Sequence, residues 1–162
     1  MFRKMRRFNQ QLSLSESIEI LEKGKTGVLA VLGDNGYPYA VPLNYVYENG
    51  KIYFHCAKAG HKISALQNCE KVSFCVIDKD DVSAEEITTY FRSVIVFGKA
   101  EILTEKEDIM KAARILGLKY CKNADFIDRE IRHFMSTRCC GKSSVEHMTG
   151  KQAKELVPKT EF

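Results

Sequence analysis

Apolar and polar residues follow strand-like patterns through the first third of this chain. Residues 26–32 form a continuous apolar run with the length of a buried strand. Residues 37–47 are rich in β-branched and aromatic side chains, and residues 51–56 alternate polar with apolar positions. Asn49 and Gly50 lie between these two segments and favour a type I′ turn, in which both central residues need a positive φ. The pattern predicts three strands, with the second and third joined as a hairpin.

Pro42 interrupts the second of these strands. Because proline has no N–H, it predicts either a sheet edge or a bulge at that point. A bulge would free nearby backbone groups to meet a ligand, whereas an ordinary edge strand needs no ligand. The residues alone leave both alternatives open.

The remaining strand signals are less uniform. Residues 71–78 and 88–103 are predicted to be strands, and the second is long enough to require a bend at Gly98. The charged residues 79–86 between them predict a loop. Residues 138–144 are polar and poor in strand-forming types, so the register of a last strand there is left open.

Helix signals occur at four places. Capping boxes at residues 13–16 and 104–107 predict two helix starts, because each pairs a hydroxyl with a glutamate three positions later. Apolar residues at helical spacing follow both boxes and recur in residues 125–135. A short helix is predicted to begin at His61, after the small residues 57–60.

Composition and charge narrow the class of protein. The 162 residues suit one domain, 1–162, with a basic N-terminal arm at 1–12 and a C-terminal tail at 150–162. The net charge of +4 is modest, and we find no DNA-binding pattern, so no nucleic-acid partner is expected. No apolar stretch approaches the roughly 20 residues of a membrane helix, and no membrane partner is expected. The six cysteines form no C-x-x-C pair, which favours reduced thiols and a cytoplasmic location.

His61 and Lys62 are the best candidates for binding an anion. They follow Gly60 at a predicted helix start, where free backbone N–H groups, the helix dipole and cationic side chains coincide. On the residues alone, a solvated basic pair is the better interpretation, since one lysine at a helix start is a weak motif.

The combination of these segments resembles a known family. A strand ending in Pro-Leu-Asn-Tyr, an Asn-Gly hairpin and the sequence Tyr-Phe-His-Cys-Ala-x-x-Gly-His-Lys-Ile resemble the pyridoxamine 5′-phosphate oxidase-related flavin-nucleotide-binding proteins. The branch most similar is that of the nitroimidazole-resistance (Nim) proteins, and the resemblance continues through residues 90–100 and 146–151. It implies a mainly β fold, a split β-barrel of about six antiparallel strands with peripheral helices. It also implies a homodimer with flavin sites at the interface, and Tyr37, Tyr39, Tyr45 and Tyr47 are expected to be exposed aromatics there.

The same resemblance implies which residues bind the cofactor, expected to be FMN with FAD left open. Beside the ring would lie Pro42, Leu43 and Asn44. Near the ribityl chain or the phosphate would lie His55 and Cys56, and at the phosphate itself His61 and Lys62. On the long strand, next to the flavin, would lie Arg92 and Ser93. A metal site at His55, Cys56 and His61 is not expected, because no second Cys/His cluster accompanies them. A redox role for Cys56 would require a partner thiol or an activated pKa, and the sequence indicates neither.

Two functions of different classes follow from this resemblance. The first is an FMN-dependent oxidoreductase that reduces a small, flat heterocyclic or nitro-aromatic compound with electrons from NAD(P)H. The second is a flavin-binding module for storage or electron relay, without turnover of its own. Pyridoxamine 5′-phosphate oxidase activity is a weaker third alternative, because a phosphorylated substrate would need further cations over the ring. No residue is assigned a catalytic role.

Overall fold

A ring of antiparallel strands forms the body of the molecule. The computed structural model describes residues 1–158, and the end of the expected C-terminal tail, residues 159–162, lies outside the described residues. Within 1–158, six strands close into a barrel with the neighbour order β1-β2-β3-β6-β5-β4. They are β1 (Thr26–Leu32), β2 (Pro38–Glu48), β3 (Lys51–Ala57), β4 (Lys71–Ser83), β5 (Thr88–Ile102) and β6 (Arg138–Gln152). The predicted fold class, a mainly β barrel of antiparallel strands with peripheral helices, is confirmed.

Helices surround the barrel. The described part of the chain contains four α-helices: α1 (Leu14–Lys23), α2 (His61–Asn68), α3 (Lys106–Tyr120) and α4 (Ala124–Thr137). The first predicted capping box is confirmed, since the Ser13 hydroxyl accepts the Glu16 N–H and the Glu16 carboxylate accepts the Ser13 N–H. No helix within residues 1–158 is long and apolar enough to cross a bilayer.

The second predicted capping box is wrong. Helix α3 has Glu105 as its N-cap residue, and that side chain makes no capping hydrogen bond. The chain is still tied to the sheet at Leu103, whose N–H donates to the Cys140 carbonyl at 2.9 Å. The helix therefore begins one residue later than the box requires.

The charged loop predicted at residues 79–86 is also wrong over its first half. Strand β4 runs on to Ser83 and stays paired with β5, after a register shift between Ile77 and Lys79. Most of the side chains in this extension are exposed, so the stretch lacks the alternation of a half-buried strand.

Strand β6 settles the register that the polar segment 138–144 left open. Its first half pairs with β3, where Gly141 lies opposite Phe54, and a Cβ at Gly141 would lie 2.4 Å from the Phe54 ring. Small residues are needed here because that ring fills the space. The β5–β6 ladder shifts register between Phe97 and Gly98, where it skips Glu146 of β6, at the position where a bend of β5 is predicted.

Two apolar clusters hold the elements together. The larger cluster fills the barrel interior and includes Leu29, Tyr45, Phe54, Phe74, Val76 and Val94. The smaller cluster lies between β6 and the α3–α4 pair and includes Ala112, Ile127, Ile131 and Cys140.

The expectation that Tyr45 is an exposed interface aromatic is wrong. Its ring is fully buried, and its hydroxyl donates to the Leu21 carbonyl at 2.7 Å. Tyr39 and Tyr47 are half-buried, and Tyr37 is exposed.

Candidate functional site

The barrel is split between β2 and β3. Their ladder covers only the pairs from Tyr45–Phe54 to Glu48–Lys51, while residues 38–44 of β2 pair with β1 alone. Pro42 therefore lies on a sheet edge, which is one of the two alternatives its missing N–H predicts. Backbone groups along this edge are available to a ligand, since no second strand within residues 1–158 pairs with them.

Tyr120 at the end of α3 closes one end of the split. Its hydroxyl accepts the Tyr45 N–H at 3.1 Å and lies 2.7 Å from the Tyr45 carbonyl and 2.6 Å from the Lys25 carbonyl. Asn44 Nδ2 donates to the same Lys25 carbonyl at 3.1 Å. Tyr120 thus takes the place of β3 at the residue where the ladder ends.

A cavity of about 580 Å³ lies between this split and the helix pair α3–α4. Phe126, Phe134 and Leu116 contribute apolar side chains to its wall, and His55 and Arg138 are also in its lining. The volume is within the range of about 300–1,000 Å³ typical of small-molecule sites. The cavity can therefore cover a flat apolar molecule that also carries a polar group.

Lys62 and Arg138 place positive charge near His55, and His55 and Arg138 are in the cavity lining; we call these three residues the basic cluster. Burial lowers the pKa of His55 below its ordinary value, and the positive charges of Arg138 and Lys62 lower it further. The strand register explains the proximity, because Ala57, two residues after His55, lies opposite Arg138. A cluster of this kind favours an anion, since an anion relieves the mutual repulsion of the cations.

His61 lies nearby but is oriented differently from Lys62. Its ring stacks on Tyr39 with the centroids 4.1 Å apart, and its Nε2 accepts the Asp34 N–H at 3.2 Å. The side chain is therefore engaged with the β1–β2 turn. The backbone N–H groups of His61 and Lys62 are the first two of α2 and have no partner in the preceding turn of that helix.

Cys56 points into the barrel rather than toward the basic cluster. It is 7% exposed, and its Sγ lies 3.2 Å from the Sγ of Cys139. Burial raises the pKa of the Cys56 thiol to about 12. Only the backbone of Cys56 is therefore available to a ligand in the split.

The structure does not bring Arg92 and Ser93 to this site within one chain. Arg92 lies opposite Gln152, the last residue of β6, whereas the basic cluster contains Arg138, the first. The Arg92 Nε instead donates to Asp78 Oδ2 at 2.5 Å. The structure does place Asn44 of the β2 edge and His55 in the lining of one cavity, with Lys62 near His55, while Pro42 and Leu43 precede Asn44 on the same edge.

Arg138 and Tyr120 belong to this site and were missed from the sequence. Arg138 is in the polar segment whose register the sequence left open, and Tyr120 is 75 positions from the residue it contacts. A long-range contact of this kind leaves no periodic signal. For Arg138, the one signal in the sequence was a cation at the start of a segment whose register was left open.

Comparisons with known proteins agree on a family and a fold. The family model described as pyridoxamine 5′-phosphate oxidase matches residues 13–140. Among solved structures, a candidate 5-nitroimidazole antibiotic resistance protein of Bacteroides thetaiotaomicron is similar at 23% identity and a TM-score of 0.72, covering 88% of this chain and 86% of that one. A conserved hypothetical protein of Mycobacterium tuberculosis is similar at 21% identity and a TM-score of 0.81, covering 98% and 97%. An FAD binding protein of Mycobacterium smegmatis is similar at 21% identity and a TM-score of 0.64, covering 88% and 96%. No curated protein matches the sequence.

Proposed function

The chain belongs to the pyridoxamine 5′-phosphate oxidase family, and from that premise we propose that it binds FMN in the split between β2 and β3 and acts as an oxidoreductase. The observation that carries the proposal is a cavity with apolar side chains in its wall, whose lining also includes His55 and Arg138 of the basic cluster and Asn44 of the free strand edge. A flavin nucleotide has these three needs: cations for its phosphate, apolar cover for its ring and hydrogen bonds for the ring edge.

The phosphate is assigned to the basic cluster and the start of α2. Lys62 and Arg138 supply charge, and the first N–H groups of α2 supply donors. His55 takes up a proton when the anion binds, because a nearby negative charge raises a pKa that burial and the two cations hold low.

The ring is assigned to the free edge of β2, beside Pro42, Leu43 and Asn44. Leu43 packs against the barrel core and fixes the strand, while Asn44 is held by the Lys25 carbonyl. Several proteins that share this fold are described as FAD-binding, which supports a flavin at the site and keeps FAD as an alternative to FMN.

A flavin, once bound, supplies two-electron transfer, and the chain supplies position and exclusion of water. Phe126 and Phe134 line the cavity and favour a flat substrate molecule, because aromatic rings stack on aromatic rings. We assign a small heterocyclic or nitro-aromatic substrate to this space, with electrons from NAD(P)H.

A second copy of the chain completes the site in this proposal. Ile77, Ile95 and Phe97 are exposed apolar residues on the outer face of β4 and β5, and Ser93 lies on the same face as Ile95 by strand alternation. Exposed apolar patches of this kind mark contacts between proteins. The distance of Arg92 and Ser93 from the basic cluster of their own chain supports their use by the partner.

The first experiment is the visible absorbance spectrum of the purified protein, followed by chromatography of the released chromophore. The expected result is a yellow protein that releases FMN. Release of FAD would change only the identity of the bound nucleotide and leave the rest of the proposal as it is. A protein that stays colourless after incubation with both flavins contradicts the proposal. Anaerobic addition of NADH or NADPH then separates the functions, because a bound flavin that neither donor reduces belongs to a storage or relay module rather than a reductase.

A further inference from the structure

The thiols of Cys56 and Cys139 lie against each other across two neighbouring strands. Cys56 on β3 and Cys139 on β6 are directly opposite in the ladder, and their Sγ atoms are 3.2 Å apart. Opposite residues of an antiparallel pair have Cα atoms about 4.5–5.5 Å apart, which is within the range that a disulfide accepts. A bond between these sulfurs therefore requires little backbone movement.

A surface cleft leads to this pair. It has a volume of about 420 Å³ and includes Cys139 in its lining. The charged residues in that lining are Lys58, Lys106 and Arg138, all of them cations. The cleft therefore favours a small anionic molecule at the position from which Cys139 is reached.

We propose that Cys56 and Cys139 are a reversible dithiol–disulfide site that is oxidised by a small anionic disulfide entering through this cleft. This inference does not depend on a flavin being bound. It supplies the partner thiol that a redox role for Cys56 requires.

The reaction is two successive thiol–disulfide exchanges. The Cys139 sulfur, as its thiolate, attacks one sulfur of the incoming disulfide, forms a mixed disulfide and releases the first small thiol. Cys56 then loses its proton and attacks the Cys139 sulfur, which forms the internal disulfide and releases the second small thiol. The protein loses two hydrogens and two electrons, and the small disulfide gains them.

The second exchange is expected to be slow at neutral pH and to accelerate as the pH rises. Burial, together with Cys139 and Cys140 on β6, raises the pKa of Cys56 to about 12, and the positive charge of Lys62 on α2 opposes this rise. Since the attacking species is the thiolate, conversion of the mixed disulfide should speed up by about tenfold per pH unit between neutral pH and pH 9.

The test treats the full-length protein with glutathione disulfide and measures the intact mass and the remaining free thiols. We expect the wild-type protein to lose two hydrogens and two of its six thiols, and dithiothreitol to restore both. Cys56→Ser and Cys139→Ser should not form this bond. Cys140→Ser is the matched control, because Cys140 is the next residue on β6 and is also buried, yet its Sγ is directed to the Ile109 carbonyl. This variant should still lose two hydrogens.

Peptide mapping of the oxidised wild-type protein tests the same point without any variant. A linked pair of peptides that contain Cys56 and Cys139 is the expected result. Six thiols that survive the treatment, a mixed disulfide that never resolves, or a bond between other cysteines would each overturn the proposal.

Discussion

At the scale of single residues, the proposed anion site depends on Lys62 and Arg138 acting together on His55. Burial lowers the pKa of His55, and the positive charges of Arg138 and Lys62 lower it further. A phosphate bound there would make charge-assisted hydrogen bonds, each contributing about 1.5–3 kcal/mol.

Replacing Lys62 should weaken the binding of FMN but not that of riboflavin, which has the same ring and no phosphate. We expect Lys62→Met to raise the Kd for FMN by about 10- to 100-fold, the equivalent of one charge-assisted contact. Fluorescence titration of the apoprotein with both flavins provides the measurement. Lys71→Met is the control, because Lys71 is an exposed lysine at the start of β4. Equal losses for FMN and riboflavin would place the phosphate elsewhere.

Lys119 should make folding stability depend on pH. Its Nζ donates to the Gly24 carbonyl at 2.5 Å and lies 4.2 Å from the Tyr45 ring centroid, and burial lowers its pKa from 10.5 to about 8. Between these two values the unfolded chain binds more protons than the folded chain, so this residue adds stability as the pH rises through that window. We expect a gain of about 1 kcal/mol, after allowing for solvent screening of a half-buried group.

Urea unfolding of the wild-type protein and Lys119→Met near pH 8 and pH 10 measures that gain. The difference between the two proteins should grow in favour of the wild type at the higher pH, since every other titrating group is common to both. Parallel stability curves would show that Lys119 keeps its ordinary pKa in the folded protein.

Much of the site could be predicted from residues close together in the sequence. The Asn-Gly hairpin and the helix start at His61 follow from local rules, and the structure has both; Pro42 predicted either an edge or a bulge, and the structure shows an edge. Arg138 could not be found, because its place beside His55 depends on how β6 pairs with β3. Cys139, the partner of Cys56, could not be found for the same reason, because it is 83 positions away and is brought to Cys56 by the same strand pairing.

At the scale of elements, β6 shows how packing overrides strand propensity. Its first half is polar and glycine-containing, yet it lies between β3 and β5 and is hydrogen-bonded on both sides. The two errors in element boundaries have a related cause. An exposed strand extension lacks alternation, and a sheet contact at Leu103 delays the start of α3.

Gly141→Ala should destabilise the barrel. Alanine is the better residue for a strand interior by propensity, but its Cβ would lie 2.4 Å from the Phe54 ring. Overpacking of this kind costs about 1–3 kcal/mol, so the midpoint of urea unfolding should fall. Ser144→Ala is the control, since Ser144 is an exposed position on the same strand. A Gly141→Ala protein as stable as the wild type would mean that Phe54 can move out of the way.

At the scale of the whole molecule, the proposed flavin site would take Arg92 and Ser93 from a second copy of the chain. Arg92 and Ser93 lie near the end of β6 that is remote from the basic cluster. The outer face that carries Ser93 also exposes Ile77 and Ile95, at 62% and 42%. A dimer formed through this face would cover these apolar side chains and would also bring Arg92 and Ser93 to the flavin site of the other copy.

Ile95→Asp should therefore have two effects, dissociation of the dimer and release of the bound flavin. A buried, unpaired carboxylate at a dimer contact is strongly unfavourable, so sedimentation should show a monomer and the absorbance of bound flavin should disappear. Circular dichroism should remain that of the wild type, because the Ile95 side chain points away from the barrel core. Met110→Asp is the matched control, since Met110 on α3 is 41% exposed and lies on a different surface; it should stay dimeric and yellow. A monomeric Ile95→Asp protein that keeps FMN would show that each chain builds its site alone, and a dimeric one would move the interface to another face.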